Sequence, residues 1–262
     1  MVEEFFKRGW TTTPFDASVL QWSARAKLAG QAAMNDPAFA DWWVCENTWF
    51  IGVDALSNDE TGAVGGSKPL GGAPKSAIET LFGAWPRLHK AQLSVVRPGY
   101  PKPRAGESAA AFGYRLRRDA AHVDGIKLVG PDRKRHLEER HAWILGLPLT
   151  QNGPDEAPLV VWEGSHEIMR RALMRFLAAY PESDWEHVDV TDCYKNARRE
   201  VFETCDRIPV ISAPGEGFVL HRLSLHGVAP WARESAAPNP QRMIAYFRPR
   251  LRDPISNWLN LP

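Results

Sequence analysis

The stretch Ala120-Ala121-His122-Val123-Asp124-Gly125 carries a His-x-Asp unit, with a distant counterpart in Leu225-His226-Gly227. Two histidines and one carboxylate form the donor set that holds a non-haem ferrous ion on one face and leaves the opposite positions open. In an extended strand, residues i and i+2 point to the same side, so His122 and Asp124 can share one ligand. The third donor then has to come from a strand far along the chain, as a rolled-up antiparallel sheet allows.

The pair is not rare by itself. With 8 histidines and 31 acidic residues in 262 positions, about one His-x-acid pair is expected by chance. The chain has three: His122/Asp124, His136/Glu138 and His187/Asp189. His136 lies within the charge run Asp132 to Arg140, which reads as a solvated loop or helix face. His187 follows Pro181 to Asp184, with a single strand-rich block before His226. His122/Asp124 precedes the whole apolar strand series and leaves 104 positions to His226 for the intervening strands. It is the pair the pattern favours.

The strands are legible around it. Ala91 to Arg97, His141 to Leu149, Pro158 to Trp162, Ile208 to Ile211, Phe218 to Leu220 and Met243 to Phe247 are short apolar runs bounded by Gly, Pro and Asn turns. One helix interrupts them, capped by Ser165, with Ile168, Met169, Ala172, Leu173, Phe176, Leu177 and Tyr180 at helical spacing. The first third reads as helical: Asp16 caps a segment running to about Met34, Asp36-Pro37 opens a second, and Ser76 to Glu79 has the form of a capping box. Thr48 to Val53 reads as a strand. The Gly-rich stretch 57–75 is expected as a long, lid-like loop. Few helices among closely spaced strands point to an antiparallel double-stranded β-helix (jelly roll, cupin-like), mainly β with flanking helices. The chain is expected to be one domain, 1–262: a mainly helical N-terminal layer with the lid-like loop over 1–88, and a jelly-roll core over 89–250.

Composition sets the outer bounds. A net charge of +1 gives no reason to expect nucleic acid or an acidic membrane as partner. Glu3 and Glu4 stand where a signal peptide would carry bases, and no long apolar run follows. Cys45, Cys193 and Cys205 are widely spaced and form no CxxC pair, so a reducing cytoplasm is the expected setting.

A ferrous ion with three protein ligands can chelate a 2-oxoacid, whose remote carboxylate then needs a fixed cation. Arg suits this through its planar, two-pronged donor geometry. Arg242 opens the last strand, 16 residues after His226, and Arg248 has the same strand parity. Arg242 is preferred, because the start of this strand should return close to the end of the preceding one; Arg233 is a further candidate in the connecting loop. His89, His141 and His221 read as structural, and His166 as holding its turn. Arg97, Arg104, Arg115, Arg117 and Arg118 read as a solvated basic face, with recognition of an acidic substrate as their other use.

Taken together, these residues resemble the phytanoyl-CoA dioxygenase-like branch of the iron(II)/2-oxoglutarate-dependent oxygenases. The shared features are His122-x-Asp124, the turn Trp162 to His166 after an apolar strand, Gly215-Glu216-Gly217 leading to His226-Gly227, and Arg242 on the next strand. Thr48 to Asn58 is similar to the N-terminal part of bacterial members, so the likeness spans roughly residues 45–250. The resemblance implies Fe(II) held by His122, Asp124 and His226, with 2-oxoglutarate and O2 as co-substrates. The implied reaction is hydroxylation or another oxidation of a small-molecule substrate, releasing succinate and CO2. Arg242 departs from the family pattern, lacking a Ser or Thr two positions on and lying farther than usual from His226. Asp124 is a carboxylate and not Ala or Gly, unlike the halogenases of the superfamily. A metal-dependent jelly-roll isomerase or hydrolase without a 2-oxoacid, and a non-catalytic binding protein of the same fold, are the alternatives.

Overall fold

In the order of the chain, the computed structural model, which describes residues 2–232 and 240–261, runs α1 (Val2–Arg8), β1 (Trp10–Thr13), α2 (Ala17–Asn35), β2 (Trp43–Val44), β3 (Trp49–Gly52), α3 (Gly72–Phe82) and β4 (Gln92–Val96). It continues through α4 (Ala109–Arg117), β5 (Ile126–Val129), β6 (Lys134–Leu137), β7 (Trp143–Pro148), β8 (Leu159–Trp162) and α5 (Ser165–Leu177). The last third holds α6 (Thr191–Thr204), β9 (Arg207–Val210), β10 (Gly217–His221), β11 (His226–Val228), β12 (Arg242–Phe247) and α7 (Ile255–Asn260).

Two antiparallel sheets make the centre. The larger has seven strands in the order β1-β10-β7-β12-β4-β3-β2, and the smaller has the order β11-β8-β9. Ile144, Phe218, Leu220, Ile244 and Tyr246 of the larger sheet pack against Leu159, Val161 and Val210 of the smaller. The alternate residues face outwards: Leu93, Val95, Leu145, Leu147, Met243, Ala245 and Phe247 meet Trp22, Ile78 and Leu81 of the N-terminal helices. On the far side, Val160 and Trp162 meet Met169 and Leu173 of α5, Tyr194 and Val201 of α6, and Trp258. Both faces of the central strands are therefore covered, which is why β7 and β12 are buried at every position and read as continuous apolar runs. The fold is mainly β with flanking helices, as expected.

The N-terminal layer holds more than helices, since β1, β2 and β3 all join the larger sheet. Asp16 caps α2 as its sequence suggests, accepting from Ser18 N at 2.8 Å. Pro37–Trp42 forms a 3-10 turn rather than an α-helix. The Ser76 capping box does not form: α3 starts earlier, at Gly72, and ends at Gly83 in the left-handed conformation. The 57–75 segment, expected as a lid-like loop, is held down at several points. Val64 and Leu70 are buried anchors within it, and Trp22 Nε1 donates to Gly62 O at 2.7 Å. These contacts fasten the segment to α2, on the outer side of the larger sheet.

Candidate metal centre

His122 belongs to no regular strand, yet it is locked to β11 by a reciprocal pair of backbone bonds: His122 N to His226 O at 2.8 Å and His226 N to His122 O at 3.0 Å. His122 thus extends the smaller sheet by one bridge. The approach needs Gly227, where an added Cβ would fall 2.2 Å from Asp119 O. The loop before His122 is tied down from several sides. Asp119 forms a two-pronged ion pair with Arg207 of β9 at 2.7 and 2.9 Å, and its carbonyl accepts from Val228 N at 2.8 Å. Tyr114 Oη of α4 donates to Ala121 O, and Val123 N donates to Tyr194 Oη of α6.

His226 is positioned through the turn after β8. Trp162 N donates to Leu225 O at 3.0 Å, and Leu225 N donates to Ser165 Oγ at 2.9 Å. Ser165 therefore does not cap α5 as its sequence position suggests. Gly164, in the left-handed conformation, takes the capping place, and the Ser165 hydroxyl serves the ligand strand instead.

The side chains converge. The donor atoms of His122, Asp124 and His226 all lie within 4.8 Å of one another. Asp124 Oδ1 is 3.3 Å from His122 Nε2 and 4.0 Å from His226 Nε2. Each histidine is turned by the carbonyl two residues before it: Nδ1 of His122 lies 3.1 Å from Ala120 O, and Nδ1 of His226 lies 2.9 Å from Ser224 O. A carbonyl only accepts, so Nδ1 of each ring carries a proton, and Nε2 is the atom turned towards Asp124 Oδ1. Charge suits the same purpose. Burial pushes the His226 imidazole down to about 4, with His122 adding to the effect. Burial alone would raise the Asp124 carboxyl, but Arg248 and the histidines outweigh it and hold it well below the usual range. At neutral pH the site therefore offers a carboxylate and an unprotonated His226 nitrogen, the forms in which these groups bind a metal.

The cavity in front of these atoms is about 80 Å³ and runs between the two sheets, past Gln92, Ser94, Ile144, Leu159 and Tyr246. Behind Tyr246 of its wall lies Arg242. This side chain is 3% exposed, and its Nη2 donates to Tyr246 Oη at 3.2 Å. Its Nη1 is buried without a hydrogen-bond partner among the described residues. The hydroxyl of Tyr100, which packs on Trp49 beside the strand partner of Arg242, Val96, is also buried without one. Arg248, of the same parity, is engaged: Nη1 lies 2.9 Å from Asp124 Oδ2, and Nη2 donates to Gln92 Oε1. Arg233 lies outside the described residues.

Other sequence-level expectations resolve as follows. His136 and His187 stand apart from the cluster. His166 is fully buried and its Nε2 bonds to Phe6 O at 2.7 Å, fastening α1 against the core. His89 and His141 hold the backbone of Arg248, His89 Nε2 accepting from its N at 3.3 Å and His141 Nδ1 bonding its O at 2.9 Å. The supposed basic face divides. Arg115 is buried in an ion pair with Glu107, whereas Arg97 and Arg118 lie over Trp43 and Phe202. Sequence reasoning missed Gln92 and Tyr246, whose inward parity on β4 and β12 was the available signal.

Comparison with known proteins agrees at the level of architecture. The chain is similar to the non-haem α-ketoglutarate-dependent carbocyclase SnoK from nogalamycin biosynthesis, with 13% identity and a TM-score of 0.52 over 95% of this chain and 82% of SnoK. The likeness is one of fold, a jelly roll with flanking helices. A second neighbour is the epimerase SnoN, solved in complex with Fe3+, α-ketoglutarate and nogalamycin RO, at 14% identity and a TM-score of 0.51 over 94% of this chain and 80% of SnoN. No protein-family model matches the chain, and no curated protein matches it in sequence. No helix among the described residues is long and apolar enough to cross a membrane.

Proposed function

We propose that this chain is an Fe(II)- and 2-oxoglutarate-dependent oxygenase that oxidises a small molecule, with release of succinate and CO2. The observation that carries the reading is the three-donor cluster facing the cavity, together with the buried Arg242, which donates to the cavity-lining Tyr246 and whose Nη1 has no partner among the described residues. A buried guanidinium N–H without an acceptor is costly to leave unmade, and a carboxylate is the group that satisfies it best. The residues present therefore fit both groups. Bound iron and 2-oxoglutarate would supply the O2-activating chemistry, as in the wider superfamily this site resembles.

The chain's own residues have defined parts. His122, Asp124 and His226 hold the metal. Arg242 receives the remote carboxylate of 2-oxoglutarate, with the Tyr246 hydroxyl alongside it as a second polar group in place of the absent Ser or Thr. Ile144 and Leu159 keep the cavity wall apolar and exclude water from the reacting groups. The His122 side chain, 45% exposed, marks the side from which substrate and O2 reach the metal. Hydroxylation is the expected outcome; SnoK and SnoN are named for ring closure and epimerisation.

Thermal unfolding tests the reading without knowledge of the substrate, because a ligand that binds only the folded state raises its stability. Mn(II) should raise the melting temperature, and 2-oxoglutarate should raise it further only when Mn(II) is present. A response to metal without any to 2-oxoglutarate would favour the isomerase or hydrolase alternative. No response to any divalent metal would leave a non-catalytic module.

A further inference from the structure

We infer that Arg248 is a positioning residue that restricts Asp124 to one metal-binding oxygen. The inference rests on the metal-site reading above. The two oxygens of Asp124 have separate surroundings: Oδ1 faces both histidine Nε2 atoms, whereas Oδ2 is taken by Arg248 Nη1 at 2.9 Å. A carboxylate free at both oxygens can bind a cation through either or both. Three single-atom donors leave three positions of an octahedral ion open, and a two-toothed 2-oxoacid plus O2 would fill them. A second oxygen from Asp124 would occupy one of these.

Arg248 is held firmly enough to impose that choice. Its Nη2 donates to Gln92 Oε1, and its backbone N and O are fixed by His89 and His141. The side chain also forms a partition. It lines the metal cavity on one side and, on the other, a second cavity of about 450 Å³ that includes His89, His141 and Arg250. Truncation to Ala would join the two spaces, so the informative substitution keeps the bulk and removes the charge.

The test is Co(II) binding, followed by titration and by the visible spectrum of the bound ion, in wild type, Arg248→Met and Arg248→Lys, with His226→Ala as control for the site. Loss of a group that orients a metal ligand weakens affinity by roughly 10–100-fold. Arg248→Met is expected to show such a loss, with a changed band intensity as the second oxygen enters, and Arg248→Lys to recover part of both. A merely structural role would lower the melting temperature yet leave the spectrum and affinity of the folded protein as in wild type, which would overturn the proposal. Tighter binding by Arg248→Met would overturn it too, because Arg248 would then be a competitor for the carboxylate. Should Arg248→Met not fold, Gln92→Leu removes the other anchor of the guanidinium: a weaker loss with the same spectral change supports the proposal, and no change overturns it. Failure of wild type to bind Co(II) is a distinct result, which removes the metal-site reading and this proposal with it.

Discussion

His122 and His226 exchange both of their backbone hydrogen bonds, at 2.8 and 3.0 Å, so two candidate ligands far apart in sequence are fixed as direct neighbours across a sheet. Their rings lie 4.6 Å apart, centroid to centroid. The backbone bridge itself brings the two rings together.

That bridge depends on Gly227. In Gly227→Ala the new Cβ would meet Asp119 O, a backbone atom that cannot turn aside. Overpacking of this kind costs about 1–3 kcal/mol. The expected result is a lower melting temperature together with roughly tenfold weaker metal binding, the low end for damage around a ligand. Unaltered metal affinity would show that the His122 loop finds its place without this close approach.

Ser165→Ala leaves the N–H of Leu225 buried and unpaired beside His226. The cost of such a group is about 1–3 kcal/mol. Denaturant unfolding should show that loss, with the helical content of α5 unchanged, because Gly164 and not Ser165 occupies its cap.

Arg242→Met should spare the metal and weaken 2-oxoglutarate. A hydrogen bond to a charged group contributes about 1.5–3 kcal/mol, or roughly a 10–100-fold change in Kd. Calorimetric titration of the Mn(II)-loaded protein separates the two effects. Equal weakening of Mn(II) itself would contradict the separation of Arg242 from the donor cluster.

Acid should destabilise the fold through His166 and His221, which lie tilted against each other within the core with ring centroids 4.8 Å apart. Burial lowers the affinity of both rings for a proton, and Arg222 and Arg170 reinforce this at His221. A histidine with a lowered folded-state pKa binds more protons when unfolded, so stability rises with pH. The contribution is complete above about pH 6.5, the ordinary histidine value, and declines as pH falls below it towards the folded-state values. Unfolding free energies measured from pH 7.5 to 5 should fall in that window. A flat profile would contradict the burial of two neutral rings.

Much of this was legible in the sequence because apolar strands bounded by turns announce themselves, as β7, β8, β10 and β12 do. The His122-x-Asp124 unit could be chosen over its two rivals by what surrounds it. What stayed hidden depends on registers that only the sheet reveals. Arg242 and Arg248 share a parity, and nothing in the sequence says that Arg248 meets Asp124 while Arg242 meets Tyr246. Helix α6 escaped notice because its buried face is only Tyr194, Ala197 and Val201 among charged neighbours. The packing of the 57–75 segment on α2 was hidden because its glycines are conspicuous and its two anchoring side chains are not.

The most direct measurement is the visible spectrum of the protein loaded with Fe(II) and 2-oxoglutarate without oxygen. Two-toothed binding of the 2-oxoacid to a ferrous ion gives a weak charge-transfer band. The account predicts that band in wild type, its absence in His122→Ala and His226→Ala, and its appearance only at higher 2-oxoglutarate in Arg242→Met. Iron bound in wild type with no band at saturating 2-oxoglutarate would contradict it.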